Sequence, residues 1–202
     1  LKGALTPLKI KHHSSITDPS KVSQLLLDID GYTGAYLTQQ ALRLAPLIFV
    51  RPGELRHAEW SEIDLKKNEW KIPGEKMKMK LPHIVPLSRQ AISILQDIKQ
   101  QAGASKYIFP CVTGIKRPMS ENTINMALKR MGYEGKHTAH GFRSMASTIL
   151  HEQGWRHDVI ELQLAHKIGN QVSAAYNYAT YIPERQEMMQ HWADYLDNLR
   201  EL

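Results

Sequence analysis

Residues 137–181 read HTAHGFRSMASTILHEQGWRHDVIELQLAHKIGNQVSAAYNYATY, and they contain several side chains that suit attack on a phosphodiester. A His-x-x-Arg pair (His140 and Arg143) is followed by a second histidine in Leu-Ala-His166 and by Tyr176. Arginine offers a planar fork of donors to two phosphate oxygens, and histidine gives or accepts a proton near neutral pH. A tyrosine can attack phosphorus and leave again, because its phenol has a pKa of about 10.

The bulk composition indicates one globular domain with a basic character. The chain has 202 residues, a net charge of +6 and a pI near 9.3, so an anionic partner such as nucleic acid is plausible. Its single cysteine, Cys111, rules out an internal disulfide and fits a reducing cytosol. The longest apolar run, Leu44–Val50, is too short to span a bilayer. Because the chain starts at Leu1 instead of methionine, we interpret it as a fragment whose N-terminal part has been removed.

The hydrophobic periodicity predicts a mainly helical (α+β) domain with one small antiparallel sheet. Asp18 and Pro19 have the residue types of a helix start, and Gly31 and Gly154 of helix ends. Pro46 is expected to bend the second helix. The predicted helices cover 18–30, one from about 38, a short one ending near 60, one from Ser88, one from Ser120, 140–153, about 158–165, about 170–179, and one from Pro183.

Three short strands are predicted between residues 62 and 87, namely Ile63–Leu65, Glu69–Ile72 and Pro82–Leu87. The segment Lys76-Met-Lys-Met-Lys80 alternates, so its three lysines would share one face of an extended hairpin. That face could meet a phosphate backbone. The segment by itself favours the alternative, an edge strand protected by lysines against aggregation.

Arg51 stands directly after an apolar run, at the predicted junction of two helices. A buried arginine needs an anionic partner, because an unpaired buried charge is costly. The partner could be a substrate phosphate, or it could be Glu54 or Glu59 in a salt bridge. The sequence leaves both interpretations open.

Several separated motifs from about residue 18 to 195 together resemble the catalytic domain of tyrosine recombinases, the phage integrase family. Phe49–Arg56 followed by Glu59–Asp64 is similar to the first arginine box of the family. Lys78 takes the place of the hairpin lysine, Ala139–Arg143 that of the His-x-x-Arg box, and Leu164–His166 that of the second histidine. The amino-acid sequences of 82–88 and 189–195 most resemble those of integrases of satellite phages and genomic islands.

The resemblance implies a site-specific DNA recombinase that forms a 3′-phosphotyrosyl intermediate and integrates or excises a mobile element. The implied site residues are Arg51, Lys78, His140, Arg143, His166 and Tyr176. In two places the sequence departs from the family pattern. Gly-Phe follows His140 where Asp-Leu is common, so local packing is expected to differ. The gap from His166 to Tyr176 is longer by one residue than the commonest spacing, which leaves Tyr178 and Tyr181 as alternative nucleophiles.

Other activities remain as alternatives or are disfavoured. A type IB topoisomerase shares the chemistry, and a non-catalytic DNA-binding protein could share the fold. A zinc site could be drawn from five histidines, but the sequence has no His-Glu-x-x-His, no cysteine pair and no clustered carboxylates. No Gly-rich phosphate loop for ATP is present. We therefore expect neither a metal nor a cofactor.

The resemblance also sets expectations for domains and partners. Residues 1–17 are interpreted as a linker from a missing N-terminal DNA-binding region, and 18–202 as the catalytic domain. The C-terminal helix, 183–202, could dock in its own domain or on a neighbouring protomer. Expected partners are double-stranded DNA at attachment sites, other protomers on that DNA and accessory DNA-bending proteins, with no membrane. The expected location is cytoplasmic, associated with the nucleoid when bound to DNA.

Overall fold

The computed structural model describes residues 14–101, 103–166 and 181–201, and it confirms a mainly helical domain with a small three-stranded antiparallel sheet. No helix within these ranges combines the length and apolarity that crossing a bilayer requires. The helices are α1 (Pro19–Asp30), α2 (Tyr36–Ile48), α3 (Pro52–Arg56), α4 (Arg89–Gln101), α5 (Thr123–Arg130), α6 (Gly141–Glu152), α7 (His157–Gln163) and a C-terminal helix (Ile182–Arg200). The predicted helix at 170–179 lies outside the described residues.

The first helix forms as its local sequence predicts. The side chain of Asp18 accepts hydrogen bonds from the backbone N–H groups of Ser20 and Lys21, which satisfies donors that a helix start leaves open. Its apolar face is fully buried and packs mainly on the C-terminal helix and on α2. The buried residues of that face are Val22, Leu25, Leu26 and Ile29.

The second helix begins slightly earlier than predicted and carries the chain towards Arg51. Pro46 lies in the last turn of this helix, where it has no N–H to donate to the carbonyl of Leu42, and the helix ends at Ile48. The carbonyl oxygen of Pro46 accepts a hydrogen bond of 2.8 Å from the indole N–H of Trp192. Phe49 then adopts the left-handed conformation, with φ of +35°, which turns the backbone before Arg51.

The predicted sheet has the strand order β1 (Ile63–Asp64), β2 (Glu69–Ile72), β3 (His83–Pro86), and all pairs are antiparallel. Trp70 pairs with Val85 in the centre, and both side chains are buried. The indole N–H of Trp70 donates to the buried carboxylate of Glu62 at 3.0 Å. This sheet lies against the C-terminal helix through β3.

Two local features differ from the sequence predictions. A second antiparallel pair, β4 (Pro110–Cys111) with β5 (Gly114–Pro118), was not predicted, because two residues are too few to show a period. The helix predicted to start from Ser120 starts later, with Asn122 before its first residue. Ser120 instead accepts a hydrogen bond of 3.4 Å from the Asn122 N–H within the preceding turn.

The C-terminal helix packs on its own domain. Its apolar stripe is buried against α1, α2, α7 and β3, with Tyr195 partly exposed. The stripe consists of Met188, Met189, Trp192, Tyr195, Leu196 and Leu199. These side chains are therefore part of the core in this chain, and the stripe itself does not form an open docking surface.

Candidate active site

Arg143 forms the buried centre of the candidate site. It projects from the first turn of α6 and is 4% exposed. Its Nη1 donates to the carbonyl oxygen of Phe49 at 2.8 Å, and its Nη2 donates to that of Leu164 at 2.7 Å. Burial, with the charge of Arg51 nearby, lowers the pKa of Arg143 to about 10. The guanidinium is thus oriented by main-chain acceptors from two distant segments.

Arg51 also bonds to the backbone segment that contains Leu164. It precedes α3, and its backbone N–H and its Nη1 both donate to the carboxylate of Glu54 at 2.9 Å. Its Nη2 donates to the carbonyl oxygen of Ala165 at 3.2 Å. The salt bridge that the sequence allowed is therefore present with Glu54. Arg51 can bond to Glu54 and to the Ala165 carbonyl at the same time, because an arginine has five N–H donors.

His166 completes this cluster at the end of the turn. Its Nε2 lies 3.2 Å from Nη2 of Arg143, and its Nδ1 lies 2.9 Å from Oε2 of Glu161 on α7. Ala165 has a φ of +50°, so the backbone turns sharply just before the histidine. His166 remains exposed, and its ring is therefore accessible from solvent.

The three side chains can act together on a bound anion. Arg51, Arg143 and His166 come from separate segments and meet around residues 164–166. Two guanidinium groups and an imidazole are suited to the non-bridging oxygens of a phosphate, where charge grows during attack on phosphorus. Among the predicted site residues that the structure describes, it thus brings Arg51, Arg143 and His166 together.

His140 lies directly before α6 and is partly buried. The next residue, Gly141, belongs to the first departure from the family pattern, and the packing around it shows why a glycine is needed here. A Cβ on Gly141 would lie 2.5 Å from the carbonyl oxygen of Ser14 and 3.2 Å from the ring of His137. Ser15 donates from Oγ to the Gly141 carbonyl at 2.8 Å. A side chain at 141 would therefore displace the incoming segment from the start of α6.

The segment 14–16, predicted as part of a linker, contacts the domain through His137. The Ile16 N–H donates to Nδ1 of His137 at 3.1 Å, and the ring of this histidine packs against Phe142. Burial lowers the pKa of His137 to about 4. His137 is therefore neutral at physiological pH and serves as a hydrogen-bond acceptor for the entering chain.

The lysines of the hairpin do not share one face, so that prediction is wrong. Residues 74–76 form a 3-10 turn, and Met77 is buried. Nζ of Lys76 turns inward to the carboxylates of Glu59 and Glu62, which raise the pKa of this lysine. The alternation fails because a turn does not have the side-chain period of a strand.

Lys78 and Lys80 remain on the outside of the same turn. Nζ of Lys80 donates to the carbonyl oxygen of Glu75 at 3.2 Å. Lys78 is exposed and makes no hydrogen bond or ion pair with the residues that the structure describes. The structure does not bring Lys78 into contact with the two arginines, although its amine is available to a ligand.

The nucleophile candidates are only partly covered by the structure. Tyr176 and Tyr178 lie outside the described residues. Tyr181 is described: it has a φ of +56°, precedes the C-terminal helix, and its ring centroid lies 4.7 Å from Cζ of Arg156. The ring of Tyr181 therefore packs against the guanidinium of Arg156.

A buried polar cluster next to His166 was not predicted. Fully buried Arg185 donates to Oε1 of Gln163 at 2.7 Å and to the carbonyl oxygen of Ile84. Nε2 of His83 donates to the carbonyl oxygen of Gln163 at 3.1 Å, and burial with the charge of Arg185 lowers the pKa of His83 to about 3. Thus the cluster ties β3, the end of α7 and the start of the C-terminal helix together. His83 alternates with Val85 on a predicted strand. This alternation was the one sequence signal that the side chain of His83 lies inside the domain.

Among residues 14–101, 103–166 and 181–201, no three His, Cys, Asp or Glu side chains lie together as metal ligands would.

Comparison with known proteins identifies relatives with this fold. The model of the phage integrase family matches residues 16–181. The chain is 43% identical to putative protein IntB of Escherichia coli (strain K12), with 100% of this chain and 54% of that protein covered. It is 42% identical to the integrase of Enterobacteria phage P4, with 98% and 48% covered. It thus spans about half the length of these curated relatives.

A solved structure also shares the fold. A crystal structure of a lambda integrase dimer bound to a COC′ core site aligns with a TM-score of 0.58 at 19% identity, covering 85% of this chain and 61% of that chain. At this identity the likeness shows the fold alone.

Proposed function

The chain belongs to the phage integrase family, and from this premise we propose that it is the catalytic part of a site-specific DNA recombinase. The observation that carries the proposal is the convergence of Arg51, Arg143 and His166 around residues 164–166. Each is a donor that suits a phosphodiester, and each comes from a different segment of the chain. The family membership supplies the reaction class.

In the proposed reaction, the phenol oxygen of Tyr176 attacks the scissile phosphorus. A bond forms between this oxygen and phosphorus, the bond from phosphorus to the 5′ oxygen breaks, and the DNA is left on the enzyme as a 3′-phosphotyrosine. Arg51 and Arg143 clamp the non-bridging oxygens, and His166 donates to one of them. A hydroxyl of a second strand then reverses the step. Because the covalent link retains the bond energy, no ATP is needed.

Two proton transfers accompany each cleavage. His140 accepts the proton of Tyr176 or orients the site, and Lys78 donates a proton to the departing 5′ oxygen. The contacts of the neighbouring lysines support this choice: Lys76 is bound by two carboxylates and Lys80 by a backbone carbonyl. Lys78 has no such contact in the described part of the chain.

The proposed partners follow from the same reaction. Double-stranded attachment-site DNA is the substrate, and further protomers on that DNA supply the second strand exchange. The net charge of +6 favours association with the phosphate backbone. Accessory DNA-bending proteins are proposed to assist assembly.

The experiment that tests the proposal traps the covalent intermediate. A duplex that carries the attachment-site junction has a nick beside the cleavage position, so that the short 5′-hydroxyl fragment diffuses away and the adduct accumulates. Digestion and mass spectrometry then map the modified residue. We expect the adduct on Tyr176, loss of the adduct in Tyr176→Phe, and its retention in the matched controls Tyr178→Phe and Tyr181→Phe.

Other outcomes point elsewhere. An adduct in Tyr176→Phe that disappears in Tyr181→Phe would move the nucleophile. Binding without any adduct in the unmodified protein would favour a non-catalytic DNA-binding protein. Relaxation of supercoiled plasmid without strand exchange would instead indicate a topoisomerase.

A further inference from the structure

We propose that Glu161 is a positioning residue for the recombination reaction, because it fixes which nitrogen of His166 faces the scissile phosphate. The inference rests on the proposed function and adds a residue to it. Glu161 lies on α7, and its Oε2 is 2.9 Å from Nδ1 of His166. Since an ionised carboxylate only accepts hydrogen bonds, Nδ1 carries a proton in this contact.

On its opposite side, the imidazole of His166 contacts Arg143 of α6. Nε2 of His166 lies 3.2 Å from Nη2 of Arg143, and a guanidinium only donates. In the neutral imidazole, Nδ1–H therefore donates to Glu161 while Nε2 accepts from Arg143. The two contacts select one tautomer and one ring orientation, with Nε2 directed towards the arginines.

Other charged groups near this ring have partners of their own. Arg51 donates to the carbonyl oxygen of Ala165, next to the histidine, and it pairs with Glu54 on α3. Glu54 thus has its carboxylate occupied by Arg51. Glu161 is the carboxylate that contacts His166 within the described residues.

The backbone at the end of α7 holds Glu161 and His166 close together. The His166 N–H donates to the Glu161 carbonyl at 3.0 Å, and Ala165 turns with a φ of +50°. The side chains themselves are partly exposed, at 20% for Glu161 and 44% for His166. An imidazole this exposed can rotate unless a hydrogen bond orients it. Glu161 provides that bond.

The consequence concerns a bound phosphate. When a non-bridging oxygen enters beside Arg143, it accepts from Nη2 in place of Nε2. His166 then takes up one proton from solvent on Nε2 and donates it in a hydrogen bond to the oxygen. Nδ1–H keeps its bond to Glu161 throughout. Without Glu161, the ring can turn or adopt the other tautomer, and its donor no longer points at the oxygen.

Three variants separate the hydrogen bond from charge and from helix stability. Glu161→Gln keeps an amide oxygen that can accept from Nδ1–H of His166. The Glu161 carboxylate makes no other hydrogen bond in the described chain, so the amide is free to turn this oxygen towards the ring. Glu161→Met has a similar length and no acceptor of this kind. Asp158→Asn is the matched control, because Asp158 lies one turn earlier on α7 and contacts Arg156 instead.

The first readout is the tautomer of His166 in the free protein, from nitrogen-15 NMR of the labelled imidazole. We expect the Nδ1–H form in the unmodified protein, in Glu161→Gln and in Asp158→Asn, and its loss in Glu161→Met. The second readout is the rate of covalent adduct formation on the nicked duplex. We expect Glu161→Met to be slower by about 10-fold to 100-fold, the range found when metal-binding histidines lose the group that accepts from their other ring N–H. Glu161→Gln should restore most of the rate, with DNA binding unchanged.

Any one of three results would overturn the inference. The first is an unmodified protein whose His166 carries its proton on Nε2. The second is Glu161→Met cleaving at the rate of the unmodified protein. The third is Glu161→Gln losing as much rate as Glu161→Met. If the unmodified protein forms no adduct at all, the proposed function fails, and the NMR readout still decides the contact of Glu161.

Discussion

Nη1 of Arg143 donates to the carbonyl oxygen of Phe49 at 2.8 Å, and Phe49 is the residue whose left-handed backbone ends α2 just before Arg51. One arginine of the candidate site therefore stabilises the backbone that presents the other. The same guanidinium bonds to Leu164, so it also fixes the approach to His166. Arg143 thus has a structural role in addition to the proposed contact with phosphate.

Lysine substitutions should separate these two roles. Arg143→Lys loses the fork that bonds two buried carbonyls, so we expect it to lower the free energy of unfolding by about 2 kcal/mol. Arg51→Lys should cost less than about 1 kcal/mol, since Arg51 is more exposed and pairs with Glu54 nearby. Both should slow cleavage roughly a hundredfold or more while keeping much of the DNA affinity. Denaturant unfolding, adduct formation and binding measure these effects. Equal losses of binding and cleavage would mark both as ordinary phosphate contacts.

The proton donor can be tested with a substrate whose 5′ bridging oxygen is replaced by sulfur. Sulfur leaves without a proton, so this substrate should rescue Lys78→Ala and leave Arg143→Ala inactive. Lys80→Ala is the matched control on the same turn and should cleave the ordinary substrate normally. Adduct formation from the two substrates gives the comparison. Absence of rescue would assign the role to another group.

Gly141 should tolerate no side chain. In Gly141→Ala the new Cβ lies 2.5 Å from the carbonyl oxygen of Ser14, so segment 14–16 must move away. We expect a loss of about 1–3 kcal/mol in the free energy of unfolding and faster proteolysis at this segment. Gly53→Ala is the control, since nothing lies within 4 Å of a Cβ added there. Equal stability of the two variants would show that the segment is not bound at α6.

Two buried histidines predict a loss of stability in mild acid. Burial lowers the pKa of His83 to about 3 and that of His137 to about 4. The unfolded chain takes up these protons near a pKa of about 6.5, so stability is full above that pH and falls as the pH drops towards 4. The combined slope reaches at most about 2.7 kcal/mol per pH unit. Denaturant unfolding across this range should show it, and His83→Gln should reduce the slope by about one proton. An unchanged slope would contradict a neutral buried His83.

The C-terminal helix should be required for folding of the domain. Trp192 is fully buried and donates to the carbonyl of Pro46, so Trp192→Ala is expected to cost about 3–5 kcal/mol. Exposed His191→Ala is the neighbouring control and should change stability little. Deleting 186–202 should likewise unfold the chain, as judged by circular dichroism. A folded deletion variant that binds one site but fails in strand exchange would instead support docking on another protomer.

Local sequence determined much of the secondary structure. Asp18 caps α1 through bonds to residues two and three positions away, and Gly154 follows α6 with a φ of +82°. The sequence also predicted the strand Glu69–Ile72, which lies at the centre of the sheet. Capping and periodicity act over a few residues, so they are readable before any tertiary contact is known. The positions of Arg51, Arg143 and His166 were also readable, through their resemblance to a family.

Tertiary structure alone decided the partners of these residues. Arg143 bonds to Phe49 across 94 positions, and Arg51 bonds to Ala165 across 114. Which hairpin lysine is bound by carboxylates depended on where Glu59 and Glu62 lie relative to Lys76. No local pattern encodes such contacts, because they form only when distant segments pack and leave buried polar groups that must find partners. The sequence therefore determined the elements and the site candidates, while packing determined which candidates meet, through hydrogen bonds that a buried backbone requires.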